Sequence, residues 1–234
     1  MPKNQSKPPE RVATGSNQVW CWDITYLRSP VRGLFYYAYV IIDVWDRSIV
    51  KWTINLREDE ALALELFQEA LRDNKISDVL FVHSDNGHPM KGITLLAFFE
   101  YLGIVPSRSR PRVSDDNPFI ESWFKTLKHS ISYPGRFKSI EGARAWFGEF
   151  VHQYNTEHLH SGLQYMTPLE VRNGNYTEKA ERRNVVMREA KERYPKRWRG
   201  SVKQISETHI VALNPTGETR VKLNASELIH TKSF

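Results

Sequence analysis

Cysteine is almost missing from this chain of 234 residues, and long apolar stretches are missing as well. The single cysteine, Cys21, excludes an internal disulfide framework and a cysteine-rich zinc module. The longest apolar run, Leu34 to Ile42, is about half as long as a membrane-spanning helix, and Asp43 ends it. The first residues contain no apolar segment of the kind found in a signal peptide. These absences favour an intracellular, soluble protein with no membrane partner.

The composition is that of a globular protein with a surplus of basic residues. Apolar residues make up 40% of the chain and charged residues 26%, which is apolar enough for a core without cross-links. The formal net charge is +6, and nearly all of it comes from residues 176–200, which hold nine Lys and Arg against four Glu. This concentration favours a nucleic acid as partner, although a solvated helix face alone would show the same pattern.

The succession of apolar patterns predicts a mixed α/β fold with a central sheet covered by helices. Strands are predicted at 19–27, 35–44, 49–55, 79–83 and 104–107, and helices at 59–74, 93–102, from 118, at 140–155 and from 168. Three further strands are predicted in the tail, at 202–205, 210–213 and 220–223. We therefore divide the chain into an N-terminal arm or linker (1–16), a core (17–173), a basic linker or helix (174–200) and a small C-terminal β module (201–234).

The helix that begins at Pro118 carries two contrasting stripes. Asn117 is its predicted N-cap, followed by proline at the first helical position. The apolar stripe consists of Ile120, Phe124, Leu127 and Ile131, and the polar stripe of Asn117, Glu121, Lys125 and Lys128. An acid beside two cations is typical of a solvated helix with Glu–Lys pairs. It is equally typical of a site that holds a metal ion and phosphate groups.

Two further carboxylates fall where an α/β sheet presents its ligands. Asp23 lies inside an apolar strand, where an unpaired carboxylate is costly. Asp85 follows the predicted strand 79–83, at the carboxyl end where open sheets bind ligands. Taken singly, Asp23, Asp85 and Glu121 are also explained by an ordinary ion pair, turn and helix start. Together they form an oxygen-donor set without cysteine, which suits Mg²⁺.

Four segments of the chain follow one another in a characteristic order. They read NQVWCWDITYL, FVHSDNG, SRSRPRVSDDNPFIESWFKTLK and HQYNTEHLHSGLQYMTPLEV. This series, over about residues 17–171, resembles the catalytic core of bacterial insertion-sequence transposases of the retroviral-integrase type. Asp85 and Glu121 are separated by 35 residues, as in the D,D,35-E triad of that group. The resemblance implies an RNase H-like fold, a mixed five-stranded sheet flanked by helices, with Asp23, Asp85 and Glu121 as the acids and Asp43 as a structural residue.

The resemblance also implies an activity, namely Mg²⁺-dependent DNA strand cleavage and strand transfer during transposition and integration. Two Mg²⁺ ions, or Mn²⁺ in their place, would be held by the three acids, with Asp23 bridging them. The residues expected to bind DNA are Asn117, Lys125, Lys128, Arg182, Arg183, Lys196, Arg197 and Arg199. We expect a homo-oligomer on DNA ends and target DNA in the bacterial cytoplasm, associated with the nucleoid, working with a separately encoded end-recognition subunit.

Departures from the family pattern keep two alternatives open. Relatives carry helix-turn-helix material ahead of the core, whereas about 16 arm-like residues stand here, which favours a separately encoded or truncated core. Leu159 stands where relatives often have a basic residue, and His88 where a small one is common. One alternative is a catalytically silent DNA-binding remnant that modulates an intact transposase. The other is an RNase H-like nuclease acting on RNA–DNA hybrids. The histidines His83, His88, His158 and His160 are interpreted as structural or DNA-proximal.

Overall fold

The computed structural model describes residues 8–76, 78–110, 116–206 and 208–221. Within these residues the strands are β1 (Arg11–Ala13), β2 (Val19–Arg28), β3 (Phe35–Asp43), β4 (Ile49–Asn55), β5 (Phe81–Ser84), β6 (Val105–Arg108) and β7 (Val211–Leu213). The helices are α1 (Glu60–Asp73), α2 (Ile93–Tyr101), α3 (Pro118–Lys128), α4 (Ile140–Thr156), α5 (Pro168–Arg172) and α6 (Tyr176–Arg193). Short 3-10 turns occur at Pro89–Lys91, Ser161–Leu163 and Pro195–Arg197.

The central sheet has five strands in the order β4-β3-β2-β5-β6. β2, β3 and β4 form an antiparallel meander, whereas β5 runs parallel to both β2 and β6. The predicted mixed five-stranded sheet is thus confirmed, with strand ends that differ by one or two residues. In this order β2 lies at the centre of the sheet, between the meander and the parallel strands.

Each face of the sheet has its own hydrophobic core, because successive side chains on a strand point in opposite directions. On β2, Cys21 lies in the core beneath α3 and α4, whereas Trp20 and Trp22 lie in the core beneath α1 and α2. The predicted placement of Cys21 opposite the two tryptophans is confirmed. Asp23 follows Cys21 by two residues and therefore faces the α3 side of the sheet.

Helix α3 packs on β2 and β3 with one apolar face. The buried residues of that face are Ile120, Trp123, Phe124 and Leu127. The prediction that Ile131 continues this face is wrong, because the helix ends at Lys128 and Ile131 is fully exposed in the turn that follows. Asn117 occupies the N-cap position as predicted, but its side chain makes no capping hydrogen bond.

The other predicted helix starts are confirmed. Ser139 caps α4, with its hydroxyl accepting from the Gly142 amide at 3.0 Å. Thr167 and Glu170 form a capping box at the start of α5, directly before its first proline. Among the described helices, none is both long and apolar enough to cross a bilayer.

The tail differs from the predicted β module. Residues 202–205 form no strand, and Arg220 and Val221 are helical, while 222 and 223 lie outside the described residues. β7 pairs antiparallel with β1, and Val211 and Leu213 are buried in the same core as Ala13. The apolar tail strand therefore buries its side chains on the main core with a distant partner instead of forming a local hairpin. The four domain boundaries stay predictions.

Candidate active site

Asp23 and Asp85 occupy equivalent positions on two neighbouring parallel strands, at or just beyond the end of their pairing. β2 and β5 pair so that Cys21 lies opposite His83, and each acid follows its residue by two positions. Because side chains alternate along a strand with a period of two, this register directs both carboxylates to the face that α3 covers.

Each of these two carboxylates is oriented by one backbone amide. The Ile24 amide donates to Asp23 Oδ1, and the Gly87 amide donates to Asp85 Oδ1, both at 2.8 Å. A β-carbon at Gly87 would lie 3.1 Å from Asp85 Oδ1 and 2.8 Å from the sulfur of Met90, so glycine permits this close approach. Among the described residues, the second oxygen of each aspartate accepts no hydrogen bond, which leaves it for another ligand.

Glu121 reaches the site from the first turn of α3. The start of this helix is anchored from two directions. Arg110 makes a bidentate ion pair with the buried carboxylate of Asp116, at 3.0 Å for both bonds. Asn214 donates from its side chain to the Asp116 carbonyl at 3.3 Å. These contacts set where α3 begins and thereby where Glu121 stands relative to β2.

The three acids share one electrostatic environment. Burial raises the pKa of Asp23 to about 7, and the negative charge of Asp85 and then that of Glu121 push it in the same direction. Glu58, in the loop before α1, has a smaller effect of the same sign. The negative charges of Asp85 and Glu121 therefore both act on the buried carboxylate of Asp23.

The donor chemistry of these acids fits Mg²⁺ better than a softer metal. All the ligand atoms would be carboxylate oxygens, and a dication would neutralise the like charges that raise the pKa of Asp23. Within the described residues, no set of three or more His, Cys, Asp or Glu side chains is placed so that it could hold a metal ion by itself. Mg²⁺ does not need such a set, because proteins hold it through one or two carboxylates completed by water and substrate phosphates.

The predicted polar stripe of α3 is only partly presented to solvent. Lys125 and Lys128 are exposed. Burial of part of the Lys128 side chain lowers its pKa, and the negative charge of Asp23 acts in the opposite direction. Asn117 differs, because it is 3% exposed and its side-chain amide has no hydrogen-bond partner among the described residues. The structure therefore does not place Asn117 on the same accessible surface as the two lysines.

The basic residues after α5 have different surroundings. Arg183 donates to the carbonyls of Gln164 and Tyr165, so its guanidinium stabilises a turn. The other predicted DNA-binding residues of this segment are exposed: Arg182, Lys196, Arg197 and Arg199. These four remain available for contact with an anionic partner.

The histidines near the acids have structural contacts. His83 is fully buried, and its two ring nitrogens lie 3.0 Å from Ser107 Oγ and 3.2 Å from Ser109 Oγ. Burial lowers the pKa of His83 to about 4, so the ring is neutral and connects β5 to β6 and the residue after it. His160 accepts from the Gly162 amide at 3.0 Å. These contacts support the structural interpretation of both residues.

Sequence reasoning missed two arginines that connect helices α3 and α5 to the core. Arg47 lies in a polar turn between β3 and β4, which carries no sign of burial in the sequence. Its guanidinium nevertheless lies 4.0 Å from the centroid of the Phe119 ring, beneath the first turn of α3. Burial lowers the pKa of Arg47 to about 10.

The second missed residue, Arg172, connects α5 to the core. It donates to Asp46 Oδ2 and to Asn17 Oδ1, both at 2.8 Å, and lies 3.7 Å from a carboxylate oxygen of Asp43. Asp43 is fully buried and accepts from the amides of Asn17 and Trp45 at 2.6 and 2.8 Å. These contacts support the structural interpretation of Asp43.

Comparison with known families gives two overlapping matches. Residues 13–114 match a family described as integrase core domain, and residues 102–168 match a second family with the same description. Similar curated proteins are the transposase for insertion sequence element IS904 of Lactococcus lactis and transposase InsF for insertion sequence IS3A of Escherichia coli. Each is 32% identical, over 157 and 164 residues, or 67% and 70% of this chain. The chain spans 61% and 56% of the length of these two relatives.

Solved structures share the fold at low sequence identity. The catalytic core of BIV integrase is similar over 70% of this chain and 98% of its own, with a TM-score of 0.53 and 18% identity. A simian T-cell lymphotropic virus intasome in complex with a PP2A regulatory subunit is similar over 74% of this chain and 60% of its own, with a TM-score of 0.58 and 17% identity. The HTLV-2 integrase catalytic core in complex with magnesium is similar over 68% and 97%, with a TM-score of 0.51 and 15% identity. The RNase H-like fold is thus confirmed.

Proposed function

The chain belongs to the integrase core family, with relatives among bacterial insertion-sequence transposases, and we propose that it cuts DNA strands and joins them to new DNA. One observation carries this proposal. The register of β2 and β5 directs Asp23 and Asp85 to the face that α3 covers, and the charges of Asp85 and of Glu121 on α3 both act on the buried Asp23. Such a concentration of acids opposes folding unless a cation is bound, and it is therefore typical of a functional site.

We propose Asp23, Asp85 and Glu121 as the catalytic acids, which would hold two divalent cations. When bound, Mg²⁺ or Mn²⁺ supplies an activated oxygen nucleophile and stabilises the departing oxygen of the phosphodiester. The backbone amides at Ile24 and Gly87 fix the orientation of the two aspartates toward that position. The magnesium described for the HTLV-2 integrase core supports this choice of metal.

The DNA would be held by basic side chains of α3 and of the segment after α5. Lys128, near Asp23, and Lys125, one turn earlier, would neutralise backbone phosphates beside the cleaved bond. The exposed arginines and lysine after α5 would extend the contact along the strand and make it strongly dependent on salt. We further propose a homo-oligomer on element ends and target DNA, with a separately encoded end-recognition subunit, acting at the bacterial nucleoid.

The experiment measures cutting and joining of a branched DNA oligonucleotide by the full chain in Mg²⁺ or Mn²⁺. The parent should form products, whereas Glu121→Gln and Asp85→Asn should lose them and remain folded. Glu100→Gln is the matched control, because Glu100 is exposed on α2, on the opposite face of the sheet, and loses the same charge.

Each other outcome identifies an alternative. Salt-sensitive DNA binding without products from the parent would contradict the proposal and favour a silent remnant. Hydrolysis of an RNA–DNA hybrid without any joining would favour a nuclease. Products from Glu121→Gln at the parental rate would refute the assignment of Glu121.

A further inference from the structure

A cavity of about 660 Å³ lies away from the acids, between α6, the turn at residues 164–165 and the segment at residues 203–205. A volume of this size is within the range of sites that bind small organic groups. Val186 and Met187 line it with exposed apolar side chains, on a helix that is otherwise strongly charged. None of the three proposed catalytic acids lines this cavity.

The charge of the cavity is positive. Its lining includes Lys179, Arg182, Arg183 and Lys203, and among the described residues no Asp or Glu lines it. Lys179 is paired with Glu170, and Arg183 is engaged with the turn carbonyls. In the described part of the chain, Arg182 and Lys203 form no ion pair. Two cations are therefore available for an anionic group at this position.

An aromatic ring is presented at the edge of the cavity by a strained turn. Gln164 and Tyr165 both have left-handed backbone angles, with φ of 54° and 59°. Such angles cost energy in residues other than glycine and persist where the surroundings impose them. Arg183 imposes them here, because it donates to the carbonyls of both residues. The backbone of Tyr165 is consequently held in position, and its side chain is 62% exposed.

We propose that this cavity binds an unpaired nucleotide of a DNA strand, and this inference rests on the proposed function. The base would stack on Tyr165 against the apolar side chains of Val186 and Met187, and the phosphates would be met by Arg182 and Lys203. The combination of an aromatic ring with cations matches a nucleotide, whose flat base and anionic backbone need both. An acidic peptide would use the cations but has no flat ring for Tyr165.

The test measures binding of a fluorescently labelled oligothymidylate of about eight nucleotides to the full chain by anisotropy. Tyr165→Leu should weaken binding about fivefold or more, because it removes the stacking surface, whereas Tyr165→Phe should bind like the parent. Arg182→Ala should weaken binding and lower the salt slope by about one. Arg72→Ala is the matched control, because this exposed arginine lies on α1, outside the lining of the cavity, and should have no effect.

A second readout follows the base itself. A 2-aminopurine in the oligonucleotide should lose fluorescence when it stacks on Tyr165, and Tyr165→Leu should restore that fluorescence. Equal affinity of the parent and Tyr165→Leu, or equally strong competition by an oligoglutamate peptide, would overturn the proposal.

The two proposals fail separately. Binding that depends on Tyr165, with no products from branched DNA, would leave the nucleotide cavity standing and refute the cleavage activity. Products from branched DNA that are made equally well by Tyr165→Leu, with unchanged oligonucleotide binding, would refute the cavity and leave the cleavage activity standing. Glu100→Gln, on the opposite face of the sheet from the acids, should bind the oligonucleotide like the parent in either case.

Discussion

The guanidinium of Arg47 lies 4.0 Å from the centroid of the Phe119 ring, and Phe119 precedes Glu121 by two residues in the first turn of α3. A cation is thereby buried beneath the helix that carries one of the three acids. Arg47 itself has a left-handed backbone angle, with φ of 64°, so the turn between β3 and β4 is adapted to place this side chain. The contact makes Arg47 a positioning residue for Glu121.

Replacement of Arg47 by methionine should weaken metal binding more than it weakens the fold. Methionine keeps an apolar contact with Phe119 but removes the cation–π interaction that fixes the start of α3. Residues that position ligands commonly change metal affinity by 10-fold or more, so half-saturation by Mg²⁺ in the cleavage assay should rise by about 10-fold. An unchanged Mg²⁺ dependence together with a lower melting temperature would show that Arg47 is only structural.

Replacement of Asp23 by asparagine should abolish products and stabilise the metal-free protein. The substitution removes a buried charge that Asp85 and Glu121 repel. At pH 8 in EDTA the melting temperature should rise, by about 2 to 4 °C for each kcal/mol gained. Mg²⁺ should raise the melting temperature of the parent and not that of the variant. Asp78→Asn, an exposed carboxylate, is the control and should behave like the parent.

Loss of Arg172 should be strongly destabilising. Its guanidinium compensates Asp46, which is fully buried, and also contacts Asn17, Ser48 and Asn74. Arg172→Ala leaves a buried carboxylate without its partner, which costs about 3 to 5 kcal/mol in the free energy of unfolding. Chemical denaturation measures this loss. Arg57→Ala, which breaks an exposed ion pair with Asp59, should cost about 1 kcal/mol or less, and equal losses would contradict the prediction.

Stability should fall in mild acid partly because of His160. Burial lowers its pKa to about 4, and the charges of Arg47 and His158 act in the same direction. Below about pH 6.5 the unfolded chain binds a proton at this histidine, whereas the folded ring stays neutral. The contribution of His160 to the free energy of unfolding is therefore complete at pH 7 and is lost as the pH falls toward 4. His160→Asn keeps an acceptor for the Gly162 amide but cannot titrate.

The two proteins can be compared by denaturation at pH 7, 5.5 and 4. Between pH 7 and pH 4, the free energy of unfolding should fall by about 1 to 2 kcal/mol more in the parent than in His160→Asn. The partial exposure of the ring keeps this difference small. Parallel loss in both proteins would show that His160 titrates alike in the folded and unfolded states.

Most secondary structure was predictable because its signals are local. Alternation and β-branched residues identified β2, β3 and β4, and the proline after Asn117 and after Thr167 marked the starts of α3 and α5. The predicted tail strand at 202–205 was wrong, and residues 220 and 221 are helical, because strand patterns form strands only where a partner strand is available. β7 pairs with β1, which lies about 200 residues earlier in the chain, and no local pattern specifies such a pairing.

The sequence by itself determined the three acids, their order and the face of α3 that bears Glu121, since residue type, spacing and helical period are properties of the chain alone. Only the tertiary structure decided how these acids affect one another, because the raised pKa of Asp23 depends on burial and on charges 62 and 98 positions away. It likewise decided that Arg47 and Arg172 are only partly exposed and that Ile131 and Tyr165 are exposed. Burial of a turn residue depends on which elements pack over it, and that packing is a property of the whole fold.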